Sequence, residues 1–265
     1  MTVSEKKNLL AVAVKAAHAA GDIMRRNRLA SKKINEATQR DIKLELDVRC
    51  QRKIESMLSK AHPEIAVLGE EENAGDVESE LRWVVDPIDG TVNFTEGKST
   101  FCMMLVLVLG GQSVMSWIHD PLTGLTTIAE KGAGAERNGE RLPRPIVPAL
   151  DQMKGQINPG FFPKADRGRL YSQISRRIKT FASLRCAGHD FLGLATGHHH
   201  FSVYRRLWTW DHAPGVLIFR EVGGVSERLD GGEYRVIDRV EGLLSAPDRD
   251  SWEVLRRLLL EPDAA

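Results

Sequence analysis

Apolar residues recur at helical spacing in the first part of the chain. Residues 4–28 carry them three and four positions apart, which predicts an amphipathic helix with Ser4 as its N-cap. Residues 30–46 are mostly polar and predict a loop or hairpin. A second amphipathic helix is predicted at about 47–60. It is predicted to end before Pro63, because proline disfavours helix at the residue before it. The chain therefore opens with a predicted pair of helices.

The periodicity then changes to that of β-strands. Five short apolar or alternating runs are bounded by glycine, proline and aspartate, which is typical of strands. They lie at 65–68, 81–85, 101–109, 113–119 and 125–130. The turns at 110–111 and 120–124 are short, so the last three runs are predicted to be antiparallel neighbours.

Helices and strands alternate after a stretch at 141–151 that holds three prolines. This stretch is the predicted boundary between an N-terminal half, 1–145, and a C-terminal half, 146–265. Predicted helices follow at 166–179, 190–196, 212–222 and 250–260. Predicted strands lie at 180–186 and 201–204, with further short strands up to residue 245. Helices and sheets in this order predict a layered α/β or α+β architecture.

Composition narrows the classes of protein that fit. Hydrophobic residues make up 42% and charged residues 28%, which suits a soluble globular protein with a core. Lys+Arg is 37 and Asp+Glu is 36, so the net charge of +1 favours neither a nucleic acid nor a membrane surface as partner. The N-terminus does not resemble a signal peptide, and no apolar run reaches the roughly 20 residues of a membrane helix. Three widely spaced cysteines without a C-x-x-C motif argue against a disulfide framework or a zinc knuckle and predict a cytoplasmic location.

Acidic residues concentrate in three segments, at 69–72, 83–94 and 208–215. In the second, a buried-strand sequence runs into Asp86, and Pro87 is expected to take the chain out of the sheet. Asp86 and Asp89 can then converge across a tight turn, and the N–H groups of Gly90 and Thr91 offer a seat for an anion. Carboxylates beside an anion seat are typical of Mg²⁺ sites that bind phosphate.

Each of these acidic residues also has an ordinary structural explanation. Asp89 suits an Asx-type turn after a strand. Asp211 suits the N-cap of the helix predicted at 212–222, and Asp47 suits the cap of the second helix. The acidic residues 70–72 suit a solvated turn.

Together the segments form a pattern. The motif W-x-x-D-P-x-D-G-T-x-N-F is preceded by G-E-E and followed about 120 residues later by W-D-x-A-x-G. This order resembles the inositol monophosphatase family, the Mg²⁺-dependent and lithium-sensitive sugar phosphatases. The resemblance spans most of the chain. It implies a layered αβαβα sandwich and a homodimer.

The resemblance implies a metal centre for roughly two to three Mg²⁺ ions. Its implied ligands are five oxygen donors: Glu70, Asp86, the carbonyl of Ile88, Asp89 and Asp211. Asp86 would bridge the two main ions, with Glu70 and Ile88 on the first and with Asp89 and Asp211 on the second.

The resemblance also implies roles in catalysis and substrate binding. The residues implied to orient and activate the attacking water are Thr91, Glu70 and Asp47. The residues implied to contact the substrate are Asp89, Gly90, Thr91, Cys186, Ala187, Tyr204 and Asp211. Hydrolysis would then proceed by in-line displacement between two cations about 4 Å apart, without a nucleophilic serine or cysteine.

Some positions depart from the family pattern. Tyr204 stands where the inositol phosphatases carry a glutamate that contacts ring hydroxyls, and Arg185 stands where a small residue is usual. With Arg205 and Arg206, Arg185 either binds a second anionic group, as in a bisphosphate or nucleotide-type substrate, or lies at the surface or a dimer interface. Residues 31–46 lack the usual V-T-x-x-D run, which puts a third metal and lithium sensitivity in question.

The predicted function is a cytoplasmic, Mg²⁺-dependent phosphomonoesterase acting on a small polyol or sugar phosphate, with inositol 1-phosphate as the first candidate. Fructose-1,6-bisphosphate, histidinol phosphate and 3′-phosphoadenosine 5′-phosphate are the alternative substrates. The predicted partner is thus a small phosphorylated metabolite. A binding or regulatory protein on a phosphatase scaffold is the alternative from another class, although converging carboxylates repel one another unless cations are present.

Overall fold

The computed structural model describes residues 2–28, 36–71, 79–157, 163–236 and 242–261. Within these ranges, the side chains of 36–44, 169–171 and 173 are not described. The predicted loop at 30–35 and the acidic residue Glu72 lie outside the described residues.

Two long helices begin the chain, as predicted. Helix α1 spans Val3–Asn27, but its N-cap is Thr2 rather than Ser4, because Thr2 and Glu5 form a capping box in which each side chain bonds the other's backbone. Helix α2 spans Glu36–Ala61, so the predicted start at residue 47 was wrong. Residues 36–46 are mostly good helix formers and contain no glycine or proline, so their polarity does not prevent a helix.

The first sheet has seven strands in chain order. They are β1 (Ala66–Gly69), β2 (Leu81–Asp89), β3 (Cys102–Leu109), β4 (Gln112–His119), β5 (Thr126–Glu130), β6 (Gly134–Arg137) and β7 (Glu140–Arg141). β1 and β2 are parallel, and the other neighbours are antiparallel. The prediction that the runs at 101–109, 113–119 and 125–130 are antiparallel neighbours is therefore confirmed.

Pro87 does not take β2 out of the sheet, which corrects the prediction. The strand continues to Asp89, and its register against β3 shifts between Asp86, opposite Met104, and Asp89, opposite Cys102. A proline cannot donate to the ladder, and a bulge accommodates it without ending the strand. The bulge separates the two carboxylates of the motif.

The second half adds a five-stranded sheet in the order β11-β12-β10-β8-β9. Its strands are β8 (Lys154–Gln156), β9 (Lys179–Phe181), β10 (Phe201–Tyr204), β11 (Val225–Arg228) and β12 (Leu243–Ala246). The remaining helices are α3 (Thr91–Thr95), α4 (Lys164–Ser175), α5 (Ala187–Ala195), α6 (Thr209–Glu221) and α7 (Arg249–Leu260). β9 is shorter than the predicted run at 180–186, and α5 and α6 each begin three residues before their predicted starts at 190 and 212.

Three hydrophobic clusters join these elements into layers. α1 and α2 pack on one face of the first sheet, which includes Trp83 and Val85. α5 and α6 pack on its other face, which includes Val84. The third cluster joins the second sheet to α4 and α7. The layers run helices, sheet, helices, sheet, helices, which confirms the predicted αβαβα sandwich. Among the described residues, no helix combines the length and the low polarity that a membrane span requires.

Candidate metal and phosphate site

The parallel pairing of β1 and β2 places two predicted ligands side by side. Gly69 pairs with Val85, so the next residues along each strand, Glu70 and Asp86, are neighbours at the carboxyl ends of the strands. The Glu70 N–H donates to the Val85 carbonyl at 3.1 Å, which extends the pairing by one residue. Because strand side chains alternate, Asp86 points to the face that Val84 shares with α5 and α6.

Asp211 completes the carboxylate cluster from the other half of the chain. It lies in the first turn of α6, whose N-cap is Trp208, so the alternative that Asp211 is the cap was wrong. Carboxylate oxygens of Glu70, Asp86 and Asp211 all lie within 4.8 Å of one another. The structure therefore brings together three of the predicted metal ligands.

The carboxylates in this cluster repel one another. Burial and the negative charges of Glu70, Asp89 and Asp211 raise the pKa of Asp86 well above its usual range. Burial, Asp89 and Glu70 raise the pKa of Asp211 to about 8. A divalent cation would remove this repulsion, and Mg²⁺ prefers oxygen ligands of this kind, so the residues fit the implied metal.

Asp89 joins β2 to the N-terminus of α5. Its Oδ1 accepts a hydrogen bond from the Ala187 N–H at 3.1 Å, and its Oδ2 accepts one from the Gly188 N–H at 2.6 Å. The Cys186 thiol donates to Oδ2 at 3.1 Å. A helix N-terminus favours a negative charge, so α5 fixes the position of this carboxylate. The predicted substrate contacts Cys186 and Ala187 are thus both bonded to Asp89.

The predicted anion seat follows directly after Asp89. Gly90 has φ of 83°, and a Cβ there would lie 2.8 Å from the Thr100 carbonyl oxygen, so the position requires glycine. The Thr91 hydroxyl donates to the Ile88 carbonyl at 3.0 Å, and the Ile88 N–H donates to Asp86 Oδ1 at 3.0 Å. Thr91 therefore directly contacts the carbonyl implied as a metal ligand.

Asn93 holds the loop before α5 against this turn. Its side-chain amide donates to the carbonyls of Thr100 at 2.9 Å and Leu184 at 2.8 Å. The loop also contains Arg185, which has φ of 57°, a left-handed conformation that is unusual for a residue other than glycine. The motif's asparagine thus ties the two halves of the chain together, a role that the sequence alone did not indicate.

Asp47 lies inside α2 and is buried, so it does not cap this helix. It shares a helix face with Gln51, one turn later. Gln51 Oε1 accepts a hydrogen bond from the Glu71 N–H at 2.9 Å. This face of α2 therefore lies against the end of β1, where Glu70 begins the carboxylate cluster.

Tyr204, a predicted substrate contact, lies against Asp190 and Phe191. Its hydroxyl donates to Asp190 Oδ2 at 2.8 Å, and its ring stacks on Phe191 with centroids 5.9 Å apart. Burial raises the pKa of Asp190 to about 7. Arg205 and Arg206 follow on the exposed stretch between β10 and α6. Sequence reasoning missed Asp190, because a single acidic residue in an apolar helix gives no sign of its partner.

Relatives of this chain share both the motifs and the architecture. The chain is 31% identical over 201 residues to the fructose-1,6-bisphosphatase/inositol-1-monophosphatase of Thermotoga maritima, covering 76% of each protein. It is 30% identical over 229 residues to a protein named Nus factor SuhB from Xylella fastidiosa, covering 83% of this chain and 81% of that one.

A solved structure of an inositol monophosphatase from Zymomonas mobilis superposes with a TM-score of 0.83 at 23% sequence identity, covering 98% of this chain and 99% of that one. Residues 5–260 match the profile of the inositol monophosphatase family. The chain therefore belongs to the inositol monophosphatase family.

Proposed function

We propose that this protein hydrolyses the phosphate monoester of a small polyol or sugar in a Mg²⁺-dependent reaction. The observation that carries the proposal is the convergence of Glu70, Asp86 and Asp211 oxygens within 4.8 Å, supplied by two strands and a distant helix. Like charges gathered around a buried carboxylate repel one another without cations, so metal binding best explains their presence.

Each group of residues has its own proposed role, and the first role is metal binding. Glu70, Asp86 and Asp211, with Asp89 and the Ile88 carbonyl, would hold two Mg²⁺ ions. When bound, Mg²⁺ supplies charge neutralisation at the phosphoryl oxygens and makes a water molecule more acidic. This division does not need a third ion, for which residues 31–46 lack the usual run.

The protein's own groups place the reactants. The Thr91 hydroxyl, which is bonded to the Ile88 carbonyl, is positioned to orient the attacking water together with Glu70. The backbone N–H groups of Gly90 and Thr91 would bind the phosphoryl oxygens, since the left-handed Gly90 lets the chain approach closely. Asp47 would act through the end of β1 rather than at the phosphate.

For the alcohol part of the substrate, inositol 1-phosphate is the first candidate. One relative's name includes both fructose-1,6-bisphosphatase and inositol-1-monophosphatase, and this supports testing a bisphosphate. Arg185, Arg205 and Arg206 supply cationic groups that would favour a second phosphate. For Tyr204 to donate a hydrogen bond to a substrate, its hydroxyl would have to leave Asp190, whereas it could accept one without doing so.

The alternative is a binding protein on the phosphatase scaffold. One relative is named Nus factor SuhB, and this name is the reason to test a binding role. The presence of all the carboxylates implied as metal ligands favours the enzymatic function over the binding role. A homodimer in the cytoplasm is part of the proposal in either case, by resemblance to the family.

The test measures phosphate release from four substrates, with and without Mg²⁺: inositol 1-phosphate, fructose-1,6-bisphosphate, histidinol phosphate and 3′-phosphoadenosine 5′-phosphate. We expect Asp86→Asn to abolish Mg²⁺-dependent release without unfolding the protein, because Asp86 is the shared ligand. Glu140→Gln is the matched control, since it removes one carboxylate from the exposed edge strand β7. Full activity in Asp86→Asn would contradict the assignment, and a folded wild-type protein that binds Mg²⁺ without releasing phosphate from any substrate would favour the binding role.

A further inference from the structure

A second group of metal-ligand side chains lies beside the carboxylate cluster. The Sγ atoms of Cys102 and Cys186 and a ring nitrogen of His189 lie within 4.8 Å of one another. Cys102 begins β3, Cys186 is the N-cap of α5, and His189 lies in the first turn of that helix. The proposed hydrolysis gives no role to Cys102 or His189.

The distances in this group match the edges of a tetrahedral zinc site. The two Sγ atoms are 3.8 Å apart. A tetrahedron with Zn–S bonds of about 2.3 Å has an S···S edge of about 3.8 Å. Asp89 Oδ2 lies 3.1 Å from Cys186 Sγ and 3.5 Å from Cys102 Sγ. The corresponding S···O edge would be about 3.5 Å, so three ligand atoms already stand near tetrahedral spacing.

Gly188 keeps this space open. A Cβ on Gly188 would lie 2.3 Å from Cys102 Sγ and 3.2 Å from Asp89 Oδ2. Any side chain there would enter the volume between the sulfur and the carboxylate. The absence of a side chain is therefore what allows the ligand atoms to face a common centre.

His189 is held by a backbone carbonyl. Its Nε2 lies 3.2 Å from the Phe101 carbonyl oxygen, so the tautomer that donates this hydrogen bond leaves the Nδ1 lone pair unprotonated. Histidines that bind metals commonly donate their other N–H to a carbonyl in this way. His189 is half-buried and also lines a cavity of about 260 Å³.

The geometry points to a zinc site formed by Cys102, Cys186, His189 and Asp89. Two thiolates, an imidazole and a carboxylate suit Zn²⁺ and exclude Mg²⁺, which prefers oxygen ligands. Binding releases the two thiol protons to solvent. The ligands come from β2, β3 and α5, which explains why no zinc-type cysteine spacing occurs in the sequence.

The consequence for activity depends on Asp89, which both sites share. A zinc ion that binds Asp89 Oδ2 withdraws this oxygen from the proposed Mg²⁺ centre and adds positive charge beside it. Zn²⁺ therefore inhibits hydrolysis from a site distinct from the carboxylate cluster. This consequence rests on the proposed function, whereas zinc binding itself does not.

The experiment uses Co²⁺ as a spectroscopic probe in the full-length protein, reduced with a phosphine. We expect a cobalt–thiolate absorption band in the near ultraviolet that Zn²⁺ removes and excess Mg²⁺ does not. Cys102→Ser should weaken the band, and both Cys102→Ser and His189→Gln should weaken Zn²⁺ binding by at least about 10-fold. Cys50→Ser is the matched control and should keep both, because Cys50 is a buried free thiol in α2.

The outcomes separate the zinc site from the proposed function. Zn²⁺ inhibition that is unchanged in Cys102→Ser, with no thiolate band, would place zinc on the carboxylates and overturn the inference. A thiolate band in a protein without phosphatase activity would support the zinc site and contradict the proposed function. If Cys102→Ser does not fold, the half-buried His189→Gln variant decides.

Discussion

Arg185 adopts a backbone conformation that glycine occupies most easily. Its φ is 57°, and its side chain is exposed. The neighbouring contacts of Asn93 with Leu184 and Arg185 hold the loop in this shape. A residue with a long side chain thus adopts a left-handed backbone conformation at this position.

Arg185→Gly should stabilise the protein by about 1 kcal/mol, because it relieves the left-handed strain and only part of this gain is lost to the greater entropy of the unfolded glycine. The melting temperature should rise by roughly 2–4 °C in a thermal denaturation experiment. Arg185→Ala removes the same charge but keeps the Cβ, and it should give no such gain. Equal stabilisation by alanine would mean that the charge and not the backbone is responsible.

Tyr204 matters through its bond to Asp190. Tyr204→Phe should cost about 1–3 kcal/mol, because it leaves a buried carboxylate without this donor. Burial raises the pKa of Asp190 to about 7, and the hydroxyl favours the ionised form. The loss should therefore be larger above pH 7 than below it, as measured by urea denaturation. In an Asp190→Asn background the pH dependence of the loss should disappear.

Single residues show the limit of sequence reasoning most clearly. Asp86 could be predicted as a ligand because the motif around it is long and because a buried strand leads into it. The pairing of Asp89 with the backbone of Ala187 and Gly188 could not be predicted, since these residues are far apart in sequence and backbone N–H groups carry no sequence signature.

At the scale of elements, α5 packs closely against β2 and β3 because Gly188 has no side chain. Gly188→Ala would place a Cβ 2.3 Å from Cys102 Sγ and 3.1 Å from Met104 Sδ. We expect a loss of about 1–3 kcal/mol, and a loss of activity because the helix N-terminus moves away from Asp89. Urea denaturation and phosphate release would measure the two effects.

The matched control is Gly168→Ala in α4, where an added Cβ meets nothing within 4 Å. It should stabilise the protein by roughly 0.5–1 kcal/mol, because alanine favours a helix interior more than glycine does. Equal losses in both variants would contradict the packing explanation at Gly188.

Most elements could be predicted from periodicity, since helices and strands that bury one face show it in the sequence. The exceptions have physical causes. Residues 36–46 form helix despite being polar, because their intrinsic propensity is high. β2 passes Pro87 by means of a bulge, which depends on its pairing with β3. Trp208 caps α6 through its backbone alone, so no capping side chain marks the start of this helix.

The whole molecule should show the charge repulsion of the carboxylate cluster in its stability. The folded pKa of Asp211 is about 8, above its unfolded value, so the folded state binds more protons between these values and loses stability as pH rises through this range. The raised pKa values of Asp86 and Asp190 also lower the stability of the folded state as pH rises. The buried His119, His199 and His212 have pKa values of about 4 and favour the opposite trend only below about pH 6.5.

Metal-free protein should therefore melt at a lower temperature at about pH 8.5 than at about pH 7, and Mg²⁺ should stabilise it more at the higher pH. Asp211→Asn should raise the melting temperature of the metal-free protein and reduce the shift caused by Mg²⁺. Calorimetry in a chelating buffer and in excess Mg²⁺ measures both. A Mg²⁺ shift that does not change in Asp211→Asn would place the ion elsewhere.

The two halves of the cluster are made at different times during synthesis. Glu70 and Asp86 lie on strands that pair early in the chain, whereas Asp211 arrives on α6 roughly half the chain later. Such distant contacts form slowly because they close a long loop. A nascent chain that has not yet released α6 from the ribosome has only part of the carboxylate cluster, so we expect metal affinity to be acquired at a late stage of folding.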